Sequence, residues 1–181
     1  MITQVREISI AVRDLDSALD SFRQKFGLEP AAPQFHPRPL VEARTVTFRI
    51  GDVCLALMAS TAPGSPVDRF VERRGEGLFS ISLAVDDLAA TTSHLQAQGV
   101  ELVLDTPLVF QDFQTYDGIY GRVKMNFTRP RSCHGVVFGL QELGHGNPAE
   151  CCGSCQERPR AARDPDESLR GRPHDLVPIA G

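Results

Sequence analysis

The sequence has no excess of positive charge. Its 19 lysines and arginines stand against 23 aspartates and glutamates, for a net charge of -4. A nucleic-acid or membrane-surface role needs a basic face, so neither partner is expected. No apolar run approaches the roughly 18 residues of a membrane span. Met1-Ile2-Thr3-Gln4 runs almost directly into a strand pattern, so no signal segment is read there and a cytoplasmic location is the expectation. The five cysteines are an odd number, and in a reducing compartment they form no disulfide framework. What remains is an ordinary globular composition, 41% apolar and 23% charged, in 181 residues. That is enough chain for one domain with a proper core.

The organising feature is a repeat. Glu7-Ile8-Ser9-Ile10-Ala11-Val12-Arg13-Asp14-Leu15 returns as Ser80-Ile81-Ser82-Leu83-Ala84-Val85-Asp86-Asp87-Leu88, and most of the nine positions are identical. Each copy is an alternating strand running into an acidic helix start. After the first copy, Leu15, Ala18, Leu19, Phe22 and Phe26 recur at helical spacing and Gly27 stops the helix. A proline-rich stretch from Leu28 to Leu40 reads as a loop with room for a short strand. Val41–Ile50 and Val53–Ala59 read as a hairpin turning at Gly51-Asp52. Ser65-Pro66-Val67-Asp68 is a helix start, with Ser65 as cap.

The second copy repeats the plan. A strand spans Leu78–Val85, a helix Leu88–Gln98, a strand Val100–Leu104, a long loop Asp105–Gly118, and a final strand pair Ile119–Thr128 and Gly135–Leu143. The expected fold is α+β, with two βαβββ modules (1–62 and 76–143) joined by a helix at 65–75. Residues 144–181, rich in Pro, Arg, Asp and Gly, bury too little to order themselves and are expected to be a disordered tail.

Two such modules resemble the vicinal oxygen chelate superfamily, which includes glyoxalase I, extradiol dioxygenases, bleomycin-resistance proteins and methylmalonyl-CoA epimerase. The run from Ser65 to Leu78, and Val85-Asp86-Asp87-Leu88 after it, looks most like the epimerase branch. The resemblance implies a cup-shaped mixed sheet whose inner face holds a divalent metal, on two histidines and a carboxylate or glutamine from each module. The matching positions are Glu7, Ala56, Ser80 and Gly139, and only Glu7 is a strong ligand. No cofactor is therefore expected, nor a divalent metal at the superfamily positions.

Strand parity puts Ile8, Ile10, Leu55, Leu57, Ile81, Leu83, Phe138 and Leu140 against helices. The cup then receives Glu7, Ser9, Cys54, Ala56, Met58, Ser80, Ser82, Gly139 and Gln141, which are mostly small and leave room for a small-molecule ligand. Glu7 is the candidate general base or acid. Glu42, within one residue of where the epimerase branch carries a catalytic glutamate, is the second catalytic candidate, or else a solvated strand-edge charge. Arg122 and Lys124 share a strand face with Asn126 and either bind an anionic group or face solvent. Phe110, Phe113 and Tyr116, in the long loop, either close over a planar or acyl ligand or form a homodimer surface. Cys151, Cys152 and Cys155 in the tail are metal-like in spacing, though lone exposed thiols of this kind are more often incidental and oxidisable.

The expected function is a small-molecule enzyme of the glyoxalase or epimerase type, metal-independent or metal-altered, moving a proton on a small acyl or oxo substrate by isomerisation, epimerisation or cyclisation. The alternative is a non-catalytic binding protein for an antibiotic or metabolite, like the bleomycin-resistance proteins.

Overall fold

Each module's first strand is buried against its partner's, and the rest of the sheet grows outward from that pair. In a computed structural model the described residues are 1–31, 36–38, 41–115 and 118–144, with the backbone path alone at 36–38, 112–115 and 118–119. The first module runs β1 (Ile2–Ala11), α1 (Leu15–Phe26), β2 (His36–Arg38), β3 (Ala43–Ile50) and β4 (Val53–Ser60). Helix α2 (Pro66–Arg74) leads to the second: β5 (Gly77–Val85), α3 (Leu88–Ala97), β6 (Leu108–Thr115), β7 (Gly118–Phe127) and β8 (Val137–Leu143). The strands form one mixed eight-stranded sheet in the order β2-β3-β4-β1-β5-β8-β7-β6. β1 is antiparallel to β5, while β4 and β8 lie parallel on their outer sides. This is the α+β, two-module cup of the vicinal oxygen chelate fold.

The helices form where the sequence places their caps. Asp14 accepts from the Ser17 amide, Ser65 from that of Asp68, and Asp87 from that of Ala90. Gly27 closes α1 at φ 64°, a left-handed conformation that favours glycine, and its N–H bonds Arg23. α1 presents Leu15 and Leu19 to a core with Val46, Phe48 and Leu57, and α3 presents Leu88 to Leu83, Val85 and Leu140. Parity is thereby anchored on both halves, because a one-residue slip would expose these side chains. α2 behaves differently. Val67 and Val71 pack on Ala11, Ala43 and Met58, so this helix stops one end of the cup.

Two segments depart from the sequence reading. Val100–Leu104 forms only a bridge, Leu102 to Thr128, because Asn126 takes up the Leu104 N–H and C=O through its side chain. The long loop before β7 is largely β6, paired residue for residue with β7 from Leu108 to Thr115. Residues 145–181, with the tail expectation and Cys151, Cys152 and Cys155, lie outside the described residues. No helix among the described residues is long and apolar enough to cross a membrane.

Glu142 ties β8 to its neighbours: it accepts from the Leu88 N–H at the start of α3 and from the Lys124 ammonium. Partial burial works against the charged carboxylate, but these two donors outweigh it and hold the group below its ordinary value of 4.5. Its contribution is therefore complete above about pH 4.5 and is lost as pH falls through the lower folded value. Glu142→Gln should cost about 1–2 kcal/mol at pH 7. In denaturant titrations the gap from the parent should narrow progressively below pH 4.5; a pH-independent gap contradicts this role.

Candidate active site

The site is built on the central strands. Glu7 of β1 lies opposite Ser82 of β5 and beside Cys54 of β4; Ser9 lies opposite Ser80 and beside Ala56. On β5's other side, Ser82 stands beside Gly139 and Ser80 beside Val137. One carboxylate and three hydroxyls thus share the inner face of four adjacent strands. Glu7 is buried, at 7% exposure, and its Oε1 accepts from the Ser9 hydroxyl at 2.9 Å. Ser9, Cys54 and Ala56 are essentially inaccessible, whereas Ser80, Ser82, Val137 and Gln141 keep partial exposure. The cup is narrow on the first-module side and opens toward the second.

Gly139 is a matter of space. A Cβ there would stand 3.4 Å from both the Phe127 ring and the Ser82 hydroxyl, tighter than most real contacts. Phe127 lies opposite Gly139 and Met125 opposite Gln141, so β7 turns its odd-numbered residues into the cup.

That register corrects the reading of Arg122 and Lys124. They are even-numbered, and with Asn126 they face the helix side. Lys124 is engaged by Glu142, Asn126 is buried in its bonds to Leu104, and Arg122 is exposed. Of the two readings, anion binding in the cup fails and solvent exposure holds for Arg122, because only the partner strand fixes which face the row takes. Phe110 sits opposite Val123 on the cup side of edge strand β6, and Phe113 opposite Tyr120, in a strand rather than a closing loop. Tyr116 lies outside the described residues. Met58 is buried beneath α2 at the closed end. Glu42 is not on a strand. It occupies the exposed turn before β3 with φ 48°, its carbonyl holding the Thr61 N–H at 2.8 Å.

Two buried polar residues go unnamed in the sequence expectations, Arg6 next to the site and Thr47 within it. Between Val5 and Glu7 the β1–β5 register shifts, so Arg6 is an extra residue in a bulge. It is 8% exposed, and its guanidinium lies 5.6 Å from the Tyr120 ring centroid and donates to the Tyr120 hydroxyl. β5 and β8 separate those two strands in the sheet, so the contact spans them. A bulge leaves no mark on alternation, so nothing in the sequence marked Arg6. The second is Thr47, opposite Ala56 and therefore on the inner face. It is 1% exposed, and its hydroxyl has no hydrogen-bond partner among the described residues. Here a signal was available: Thr45 and Thr47 alternate with Val46 and Phe48.

Residues 6–114 match the family model of the glyoxalase/bleomycin resistance protein/dioxygenase superfamily. The ethylmalonyl-CoA/methylmalonyl-CoA epimerase of Cereibacter sphaeroides is 26% identical over 144 residues, which are 79% of this chain and 100% of that one. The mitochondrial methylmalonyl-CoA epimerase of Dictyostelium discoideum is 25% identical across 78% of this chain and 79% of its own. Among solved structures, a glutamate-to-glutamine variant of the Streptomyces coelicolor methylmalonyl-CoA epimerase, in complex with 2-nitronate-propionyl-CoA, superposes with a TM-score of 0.63. It is 25% identical and covers 78% of this chain and 98% of that one. A methylmalonyl-CoA epimerase in complex with methylmalonyl-CoA and NH4+ gives the same TM-score and identity, covering 78% and 95%.

These relatives correct the expectation that no cofactor belongs here and that a divalent metal is out of place. A cation accompanies the substrate in one of them. The four aligned positions include the Ser80 hydroxyl only as a weak donor and leave out those of Ser9 and Ser82. No three histidine, cysteine or carboxylate side chains cluster among the described residues. Glu7, Ser9, Ser80 and Ser82 nonetheless form an all-oxygen set, which suits a hard cation rather than a soft one.

The unpartnered Thr47 hydroxyl yields a test. Thr47→Val removes a buried hydroxyl that no described residue satisfies, and should stabilise the protein by about 1–3 kcal/mol. A lower denaturation midpoint would mean that the hydroxyl is already satisfied in the free protein.

Proposed function

The chain belongs to the glyoxalase/bleomycin resistance protein/dioxygenase superfamily, and from that premise we propose that it moves the proton α to the carbonyl of an acyl-CoA thioester of the methylmalonyl-CoA type, inverting that carbon. The observation that carries the reading is Glu7, a buried carboxylate on the inner face between the Ser9 hydroxyl and the opposite Ser82. The chain spans epimerases of this kind at nearly their full length.

Inversion needs a proton removed from one face of the carbon and one delivered to the other. Glu7 is the inner proton-transfer group. Glu42, in the turn where the cup's closed end meets α2, is the outer one. Its left-handed backbone is uncommon for a residue with a side chain, and such conformations persist where surrounding structure fixes them. The Thr61 bond to its carbonyl is one such constraint.

As the α-proton leaves, charge develops on the thioester oxygen. The Ser80 and Ser82 hydroxyls stand on the open side of the cup to donate to it, and each preorganised donor of this kind is worth about 2.7–4 kcal/mol. A cation, where bound, would rest on one oxygen of Glu7 and the hydroxyls of Ser9, Ser80 and Ser82, and would supply positive charge to that same oxygen. Burial of Ser9, Cys54 and Ala56 keeps water from the inner carboxylate.

The test is exchange of the α-hydrogen of methylmalonyl-CoA in deuterated water, followed by proton NMR. The parent chain should wash in deuterium, with Glu7→Gln and Glu42→Gln each slower by about 10²- to 10⁴-fold and still folded. A Glu7→Gln variant that exchanges at the parent rate contradicts the reading. So does a chain that binds the thioester without exchanging it.

A further inference from the structure

At the rim of the cup, α2 borders a cleft of about 290 Å³ whose walls carry Arg69, Arg73 and Arg74 together with Phe70, Phe79 and Val137, and no carboxylate. We propose that this cleft seats the phosphate-bearing nucleotide end of a coenzyme A thioester whose acyl end lies in the cup. The proposal rests on the acyl-CoA reading above and deepens it by naming where the carrier is held.

Charge is the first argument. Three guanidiniums with no acid among them make an anion site, and guanidinium matches phosphate oxygens in pairs. Nearby cations are differently placed: Arg129 and Arg131 are both drawn to Glu101, and Arg131 holds that carboxyl below its ordinary range through a direct hydrogen bond. Of the acids around α2, Glu72 does not line the cleft and two others are engaged elsewhere. Asp68 accepts from the Gly64 N–H and Glu76 from the Arg13 N–H. Exposed arginines in the last turn of a helix are also favoured by its dipole, but that does not account for rings and a cleft beneath them.

Preorganisation is the second. Arg74 donates to the Gly135 carbonyl at 2.9 Å, and its guanidinium lies 5.8 Å from the Phe70 ring centroid. Phe70 meets Phe79 edge-on, with centroids 5.4 Å apart and planes at 85°. Arg73 is exposed, and no hydrogen bond or ion pair engages it among the described residues. One wall is thus fixed and one cation is available. The volume is at the small end of ligand pockets, room for a phosphorylated sugar but not for a whole coenzyme.

Continuity is the third. Val137, in the cleft, is the register partner of Ser80 in the cup, and Phe79 immediately precedes Ser80. The β1–β5 register shifts again between Ser9 and Ile10, which leaves Phe79 as the extra residue there. The cup's open side and the cleft are therefore adjacent. From Ala11, on which α2 packs, Glu7 is four residues along the strand, about 13 Å. A pantetheine arm bridges such a span.

Calorimetric titration of the full chain with free coenzyme A and with pantetheine tests this without turnover. Coenzyme A should bind the parent, and Arg73→Gln should weaken it about tenfold or more. Pantetheine, which lacks the phosphates, should be insensitive to that change. Arg131→Gln, which removes an arginine outside the cleft, should leave coenzyme A binding as it was. Equal weakening of both ligands by Arg73→Gln, no weakening, or no binding of coenzyme A to the parent would each overturn the cleft assignment. Deuterium exchange of methylmalonyl-CoA is read separately. If exchange proceeds while Arg73→Gln changes nothing, the cleft is wrong and the activity stands; if coenzyme A binds as described without exchange, the reverse holds.

Discussion

β1 and β5 pair antiparallel at the middle of the sheet, each flanked on its far side by the parallel last strand of its own module. Neither module can bury its helix-facing row without α1 or α3, and neither can complete the inner face without the other. The pairing brings Glu7 opposite Ser82 and Ser9 opposite Ser80. A slip by one residue would turn Ile8 and Ile81 inward and expose the carboxylate to the helices. Core and site are therefore fixed by one register. The same pairing is interrupted at three places, and two of them bear on the site: one bulge buries Arg6 beside Glu7, another sends Phe79 toward α2.

Much of this was legible because packing and chemistry used the same alternation. Ile8, Leu55, Leu83 and Leu140 alternate with Glu7, Cys54, Ser82 and Gly139, and the repeat at Ser80 gave the second module for free. The caps Asp14 and Ser65 were legible because a side-chain oxygen before an apolar helical period has few other uses there. What escaped depended on partners distant in sequence. Arg122 and Lys124 share a strand face that suits anion binding or solvent alike until β8 fixes which side it is. Phe110 and Phe113 look like loop aromatics until β7 supplies their pairing. Arg6 enters through a bulge, which shifts parity without changing composition.

Cation binding rests on weaker donors. Reading four aligned positions left one carboxylate, and the conclusion that no metal belongs there followed from counting strong ligands alone. The structure places Ser9, Ser80 and Ser82 around the same inner face, and the relatives include an epimerase solved in complex with methylmalonyl-CoA and NH4+. Oxygen donors of modest strength, gathered by strand register, are invisible to a search for histidine and cysteine. Gly139 shows the reverse case, where a missing side chain makes room for the Phe127 ring and the Ser82 hydroxyl.

The chemistry depends on where the reacting carbon sits. A crystal structure of this chain with 2-nitronate-propionyl-CoA, the ligand carried by the Streptomyces coelicolor relative, would locate it directly. The nitronate is predicted to lie within hydrogen-bonding distance of the Glu7 carboxylate or the Ser82 hydroxyl, on the open side of the cup. An analogue whose nitronate is bound away from both, or a cup that excludes it at saturating concentration, would contradict the account.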